Sequence, residues 1–183
     1  GVLRRLTSNK ANDARPRWSR DGQWIYFAST RSGRWEIWKA RTHSADAEAM
    51  AIRITRQGGM EAAESSYGRY LYYTKRGTSG IWRLPGACPV GNQEEKVLDI
   101  GEEGQWALRP DGLLLLDGGS GRPPAIRFFE FATGRLADVV TLPSNWVFRP
   151  MGGGLAVSPD GQWAVVAEWR LVESDIMLVE NFR

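Results

Sequence analysis

The sequence of 183 residues contains one cysteine, Cys88, and one histidine, His43. A single cysteine excludes an internal disulfide, and one cysteine with one distant histidine does not supply the tetrahedral ligand set of a zinc site. A serine nucleophile would need a base beside it, and the nearest match to Gly-x-Ser-x-Gly, at residues 118–122, fails because it ends in Arg122. These absences argue against zinc enzymes and against hydrolases with a Ser-His site.

Long apolar runs and blocks of like charge are also missing. No stretch of about 18 apolar residues occurs, so the sequence predicts no membrane span. The net charge is +3, with basic and acidic residues interleaved, and this balance predicts no nucleic-acid partner. Residues 1–7 lack the apolar stretch of a signal peptide. The compartment, periplasmic or cytoplasmic, is left open.

What the chain has in abundance is tryptophan, nine in all, together with an internal repeat. The hexapeptide Ser-Arg-Asp-Gly-Gln-Trp at residues 19–24 returns as Ser-Pro-Asp-Gly-Gln-Trp at residues 158–163, and weaker copies lie between them. The repeat glycines are Gly22, Gly68, Gly112 and Gly161, at intervals of 46, 44 and 49 residues. A four-stranded propeller blade takes roughly 40 to 50 residues.

Each repeat glycine is preceded by tight-turn chemistry and followed by a strand-like run. Proline presets the turn, aspartate bonds the nearby backbone, and glycine accepts a positive φ. Short apolar runs after each glycine are typical of strands buried on both faces. We interpret the strand tryptophans as core packing between blades rather than as base-stacking platforms.

The pattern predicts an all-β chain, over half strand and turn with almost no helix. The fold class is a β-propeller of four four-stranded antiparallel blades, forming one domain over residues 1–183. The predicted blades are residues 14–55, 62–98, 104–142 and 154–181 plus 3–7. Residues 3–7 resemble the fourth-strand sequence at residues 51–55, so we expect the N-terminal strand to close the last blade and remove an open sheet edge.

The residues that carry this pattern resemble the repeats of TolB-like propellers. Residues 17–22 and 156–161 are each followed by a strand and then by an Ile-Trp or Ile-Met strand. The resemblance covers nearly the whole chain, although the second copy has Ser66-Tyr67 where the family usually has Pro-Asp, and the third lacks the polar residue after its glycine.

The resemblance implies a bacterial propeller but says little about its function. Similar repeats occur in TolB, which binds partner proteins at the cell envelope, in propellers beside serine-peptidase domains, and in the sensory halves of transcription regulators. Those propellers commonly have six or more blades. Four repeats therefore leave open a monomeric ring, half of a homodimeric eight-bladed ring, or a fragment of a longer protein.

Loops that join a fourth strand to the next first strand gather at the mouth of a propeller's central channel. Charged residues fall in these loops and form the candidate ligand or cation site: Asp13, Glu61, Glu64, Glu102, Glu103 and Arg149. Converging carboxylates could hold Ca²⁺ or Mg²⁺ or receive a basic side chain from a partner. Alternatively, each carboxylate accepts backbone N–H bonds inside its own loop.

We therefore predict a non-enzymatic binding or scaffold propeller that recognises a protein partner or a small ligand at the channel mouth. No catalytic residue is assigned, and no cofactor is expected apart from Ca²⁺ or Mg²⁺ at the mouth. Two alternatives stay open, namely a hydrolase that uses the mouth acids and a sensory fragment of a larger regulator. A deep pocket with a strongly perturbed carboxylate would favour the enzyme.

Overall fold

The computed structural model describes residues 3–44, 47, 49–86, 94–118, 121–148, 154–169 and 174–179. Within these ranges all the regular elements are β-strands and none is a helix. The all-β class predicted from the repeat is thereby confirmed. Across the same ranges no helix is long and apolar enough to cross a membrane.

The strands form four antiparallel sheets in which chain neighbours pair. The first sheet contains β1 (Asp13–Trp18), β2 (Trp24–Ser29), β3 (Glu36–Arg41) and β4 (Ile52–Arg53). The second contains β5 (Ala62–Glu64), β6 (Tyr70–Lys75), β7 (Thr78–Pro85) and β8 (Glu95–Leu98). The third contains β9 (Trp106–Leu108), β10 (Gly112–Asp117), β11 (Ala125–Glu130) and β12 (Leu136–Thr141). The fourth contains β13 (Leu155–Val157), β14 (Ala164–Trp169) and β15 (Ser174–Val179).

The chain divides into two compact units, Gly1–Val97 and Leu98–Arg183, and each has its own core. In the first unit, Tyr26 and Ile37 of the first sheet pack against Leu71, Tyr73 and Trp82 of the second. The opposite face of the first sheet is buried as well, since Phe27 and Ala40 form a separate cluster. The single domain over residues 1–183 stays a prediction.

The second unit buries the facing sides of its two sheets in the same manner. Leu114, Leu116 and Ile126 of the third sheet pack against Ala164 and Val166 of the fourth. Successive residues of a strand point to opposite faces, yet Leu113, Leu114, Leu115 and Leu116 are all at most 2% exposed. The unbroken leucine run therefore fills both faces of β10.

The repeated turns have nearly identical geometry in the first and last copies. The Ser19 hydroxyl accepts the Trp24 N–H at 2.9 Å and donates to Asp21 Oδ1 at 2.6 Å, and Asp21 also accepts the Gln23 N–H. Ser158 and Asp160 make the equivalent bonds at residues 158–163. Gly22, Gly68 and Gly161 take the predicted positive φ of 64° to 70°.

The third copy departs from this geometry, and the expectation of a positive φ at all four glycines is wrong at Gly112. Gly112 is the first residue of β10, and the Arg109 N–H donates to its carbonyl at 2.8 Å in a tighter hairpin. A Cβ there would lie 2.2 Å from the Phe129 carbonyl oxygen and 2.5 Å from the Phe128 ring. Glycine is required here by close packing rather than by backbone conformation.

A fully buried carboxylate, Glu36, joins three segments of the first unit at the start of β3. It accepts hydrogen bonds from Thr55 Oγ1 at 2.5 Å, Arg34 Nε at 2.7 Å and Arg53 at 2.8 Å, and also from the Gly58 N–H. Burial opposes its ionisation, but the bonds from Thr55, Arg34 and Arg53 outweigh burial and hold the pKa of Glu36 below its usual value.

The structure does not show the predicted closing strand at residues 3–7. Residues 3–8 belong to no strand, and Arg4 donates to the carbonyls of Thr42 and Ser44 while Leu6 packs near Phe27. In the described part of the fourth sheet, β15 pairs with β14 alone. Closure by residues 3–7 remains a prediction.

Candidate functional site

The first predicted site residue, Asp13, begins β1 and is held by its own unit. Both of its carboxylate oxygens lie 3.4 Å from an Arg31 nitrogen. The Arg31 guanidinium in turn lies 5.0 Å from the ring centroids of Phe27 and Trp38. Asp13 also lines a groove of about 460 Å³ with Leu6, Ile25 and Phe27 among its walls. The carboxylate therefore contributes to the packing of the first sheet.

Glu61 and Glu64 join the second sheet to the first within the same unit. Glu61 is buried and accepts Arg17 at 2.9 Å, while the Arg17 side chain is 58% exposed. Glu64 Oε2 accepts the Arg20 N–H at 3.0 Å, in the turn of the first repeat. These two acids form sheet-to-sheet contacts, which the sequence interpretation of loop-internal bonds did not include.

The remaining predicted residues belong to the second unit. Glu103 is buried, and the Glu102 carbonyl accepts the Gln105 N–H at 3.0 Å. Arg149 lies outside the described residues. Among the residues that the structure describes, no group of three or more His, Cys, Asp or Glu is arranged to hold a metal ion. The Ca²⁺ or Mg²⁺ site stays a prediction.

A cleft of about 670 Å³ opens in the second unit between the third sheet and the last repeat turn. Its apolar lining residues include Leu114 and Phe128. Its other walls include Arg109, Asp111, Ala137, Asp138, Val139, Asp160, Gly161, Gln162 and Trp163. These residues come from four separate segments, 109–114, Phe128, 137–139 and 160–163, so only the packing of β9–β12 against residues 158–163 brings them together.

Arg109 lies across the cleft and connects its two sides. The guanidinium carbon is 5.3 Å from the Phe128 ring centroid. Its Nε and second terminal nitrogen donate to the Asp111 carboxylate at 3.1 and 3.3 Å, and a further nitrogen donates to the Gly161 carbonyl at 3.4 Å. In the other three copies this position is serine, which bonds the turn backbone. The third copy thus places an arginine where the repeat uses a structural hydroxyl.

The last turn supplies a charged and an aromatic side chain to the cleft. The hydrogen bond from Ser158, with that of the Gln162 N–H, holds the pKa of Asp160 below its usual value, so Asp160 is ionised at neutral pH. Trp163 is 39% exposed and lines the same cleft. An ionised carboxylate and an exposed indole in one cleft can bind a ligand that is both cationic and apolar.

The sequence pattern does not predict this cleft. The interpretation of the strand tryptophans as core holds for Trp82 and Trp106, but Trp18 is 67% exposed and Trp163 is 39% exposed. A signal was nevertheless present, because Arg109 breaks the serine position of the repeat.

Comparison with known proteins supports the fold of this chain but does not identify its function. No family model matches the chain. An uncharacterized protein of Agrobacterium fabrum is 42% identical over 71 residues, which are 39% of this chain and 20% of that protein. The chain therefore spans about a fifth of the curated relative that it matches.

Two solved structures cover most of this chain. TolB from Acinetobacter baumannii matches with a TM-score of 0.71 at 21% identity, over 96% of this chain and 42% of TolB. An oligogalacturonate lyase from Vibrio parahaemolyticus matches with a TM-score of 0.57 at 14% identity, over 90% of this chain and 49% of the lyase. The chain spans less than half of either structure. At sequence identities this low, structural similarity indicates a shared fold and not a shared function. The chain has the fold of the TolB-like β-propellers.

Proposed function

We propose that this chain is a non-enzymatic binding module and that the cleft of the second unit is its contact surface for a protein partner. The observation that carries the proposal is that the exposed Trp163 and the ionised Asp160 line one cleft of about 670 Å³. Ligand sites typically measure about 300 to 1,000 Å³ and combine an apolar lining with a few polar groups.

The predicted mouth acids are less suited to this role in the first unit. Asp13, Glu61 and Glu64 already accept Arg31, Arg17 and the Arg20 N–H, respectively. A ligand would have to replace these bonds, whereas the Trp163 indole already faces solvent. The cleft therefore presents an exposed aromatic surface that a ligand can cover without displacing a protein group.

A protein segment matches the mixed character of the cleft. The exposed Trp163 ring suits an apolar or planar side chain of the partner. The rim carboxylates Asp111 and Asp138 are 54% and 60% exposed, so charged groups of a partner that meet them remain partly hydrated. Tryptophan and arginine are enriched among the residues that dominate protein interfaces. Exposed carboxylates and a lowered pKa at Asp160 favour binding over acid catalysis, because a general acid needs a raised pKa.

The proposal predicts that peptides selected from a random display library against the full chain will bind at the cleft. Replacing Trp163 with leucine should weaken the selected peptides at least about tenfold, the typical effect of removing an interface hot spot. Biolayer interferometry provides the affinities. Trp18→Leu is the matched control, since Trp18 is also an exposed indole but lies in the first unit. Peptides that bind both variants as tightly as the wild type would contradict the proposal.

Closure of the fourth sheet by residues 3–7 is also proposed, on the likeness of residues 3–7 to residues 51–55. Cysteines at Arg5 and Ile176, in a Cys88→Ser background, should form a disulfide on mild oxidation, since paired strands bring Cα atoms within about 7 Å. A monomeric disulfide indicates an intramolecular ring, and a covalent dimer indicates exchange between two chains. If the thiols stay free in this variant, and also in variants with cysteines at neighbouring pairs such as Thr7 and Ile176, the closure proposal is contradicted.

A further inference from the structure

We infer that the cleft of the second unit recognises an arginine side chain of its partner, stacked on the Trp163 indole and paired with the Asp160 carboxylate. The inference rests on the proposed function and names the chemistry that the cleft selects.

The repeat itself supplies the first argument. The second residue after the repeat glycine is aromatic in three copies, and in two of them the ring is covered by a cation. Lys39 Nζ lies 4.5 Å and the Arg41 guanidinium 4.6 Å from the Trp24 ring centroid. The Arg83 guanidinium lies 4.5 Å from that of Tyr70. This position therefore places an aromatic face where the fold can present it to a positive charge.

Trp163 occupies the same position in the last copy without such a cation. Lys39, Arg41 and Arg83 come from the strand that pairs with the one after the turn. The corresponding strand β15 (Ser174–Val179) contains no lysine or arginine. Among the residues that the structure describes, no cation lies over the Trp163 ring, which is 39% exposed. A cation from a partner would complete the arrangement seen in the first two copies.

Arg109 shows that this cleft accommodates a guanidinium. It stacks on Phe128 and pairs with both oxygens of Asp111 on one side of the cleft. Trp163 and Asp160 offer the same pair of groups, an aromatic face and a carboxylate, on the other side. Arginine suits them better than lysine, because its planar guanidinium can stack on a ring and still donate to a carboxylate in its plane.

The charge of the cleft favours a cation over an anion. Three aspartates line it, Asp111, Asp138 and Asp160, against the single lining cation Arg109. Arg127 bonds Asp138 at 2.7 Å but is itself buried and also pairs with Asp117. Asp111 is paired with Arg109 and Asp138 with Arg127, so the attraction for a cationic ligand comes mainly from Asp160.

Indole NMR of the full chain tests the inference. The protein is labelled with ¹⁵N, and the Trp163 Nε1–H resonance is assigned by its loss in Trp163→Leu. The probe is Ac-Gly-Arg-Gly-NH₂, and its neutral counterpart carries citrulline in place of arginine. We expect the arginine peptide to shift the Trp163 resonance at millimolar concentration and to bind at least about fivefold more tightly than the citrulline peptide. Equal affinity, or no shift at Trp163, would overturn the inference.

A matched pair of variants separates recognition from turn stability. Asp160→Asn and Asp21→Asn remove the negative charge at equivalent turn positions and perturb the same turn bonds, since both carboxylates accept a serine hydroxyl and a glutamine backbone N–H. Only Asp160 lines the cleft. We expect Asp160→Asn to weaken the arginine peptide about threefold to tenfold and Asp21→Asn to leave it unchanged. An equal loss in both variants would show that the effect is structural and would overturn the inference.

The two proposals can fail separately. If library peptides without arginine bind at Trp163 and the arginine peptide does not, the arginine inference is wrong and the cleft remains a binding surface. If no selected peptide depends on Trp163, both proposals are wrong.

Discussion

Replacing Gly112 with alanine is expected to destabilise the chain by about 3 kcal/mol or more. The added methyl group would lie 2.2 Å from the Phe129 carbonyl oxygen and 2.5 Å from the Phe128 ring. The first of these atoms belongs to the backbone of the paired strand β11, so relief requires the β10–β11 hairpin to separate at the Gly112–Glu130 pair. Urea unfolding followed by tryptophan fluorescence measures the loss.

The matched control is Gly121→Ala in the same unit. Gly121 has a φ of 78°, and a Cβ there would meet nothing within 4 Å. Its replacement should cost only the strain of a left-handed alanine, about 1 kcal/mol. Equal losses for the two variants would contradict the close-packing account of Gly112. Because Phe128 lines the cleft, Gly112→Ala should also weaken the binding of the cleft peptides, and Gly121→Ala should not.

The second large effect is expected from Glu36→Gln, at about 2 to 3 kcal/mol. Removing one partner of a buried ion pair typically costs about 3 to 5 kcal/mol. We expect a smaller loss of about 2 to 3 kcal/mol for Glu36→Gln because the Arg34 and Arg53 side chains are 57% and 33% exposed. Water can therefore solvate part of each guanidinium once the carboxylate is gone. Glu95→Gln is the control, since the Glu95 carboxylate is 58% exposed in its pair with Arg83 and its removal should cost less than about 1 kcal/mol.

The Glu36 network also predicts an acid dependence of stability. The pKa of Glu36 is lowered in the folded protein, and an unfolded glutamate titrates near about 4.3. The stabilisation is therefore complete above about pH 4.3 and is lost as the pH falls through the lower folded pKa. The free energy of unfolding of Glu36→Gln, measured between pH 7 and pH 3, should fall less than that of the wild type. A parallel decline in both proteins would contradict the assignment.

The strands could be predicted from sequence because their signals are local. Turn residues with fixed offsets precede each second strand, and Asp21 and Asp160 make the backbone bonds that their residue type predicts. Gly112 was misassigned because its requirement is not local. The obstacle to a side chain there is Phe129, which becomes a neighbour only when the hairpin forms.

The site could not be predicted to the same extent, since its contacts join distant residues. Glu61 meets an arginine 44 residues earlier in the chain, and Arg109 meets a carbonyl 52 residues later. Repeat register places a carboxylate near a loop but does not say which cation packs beside it. Trp163 was assigned to the core by its register, but it lies just before β14 and is 39% exposed, which the repeat pattern does not reveal.

Photo-crosslinking tests the binding cleft most directly. A selected peptide carrying a benzoylphenylalanine at its end is irradiated with the full chain, and the attachment points are mapped by mass spectrometry. We predict attachment within residues 109–114 and 158–163, the two sides of the cleft, and its loss in Trp163→Leu. Attachment instead at the equivalent turns of the first unit, residues 19–24 or 65–70, with none at residues 158–163, would contradict the account.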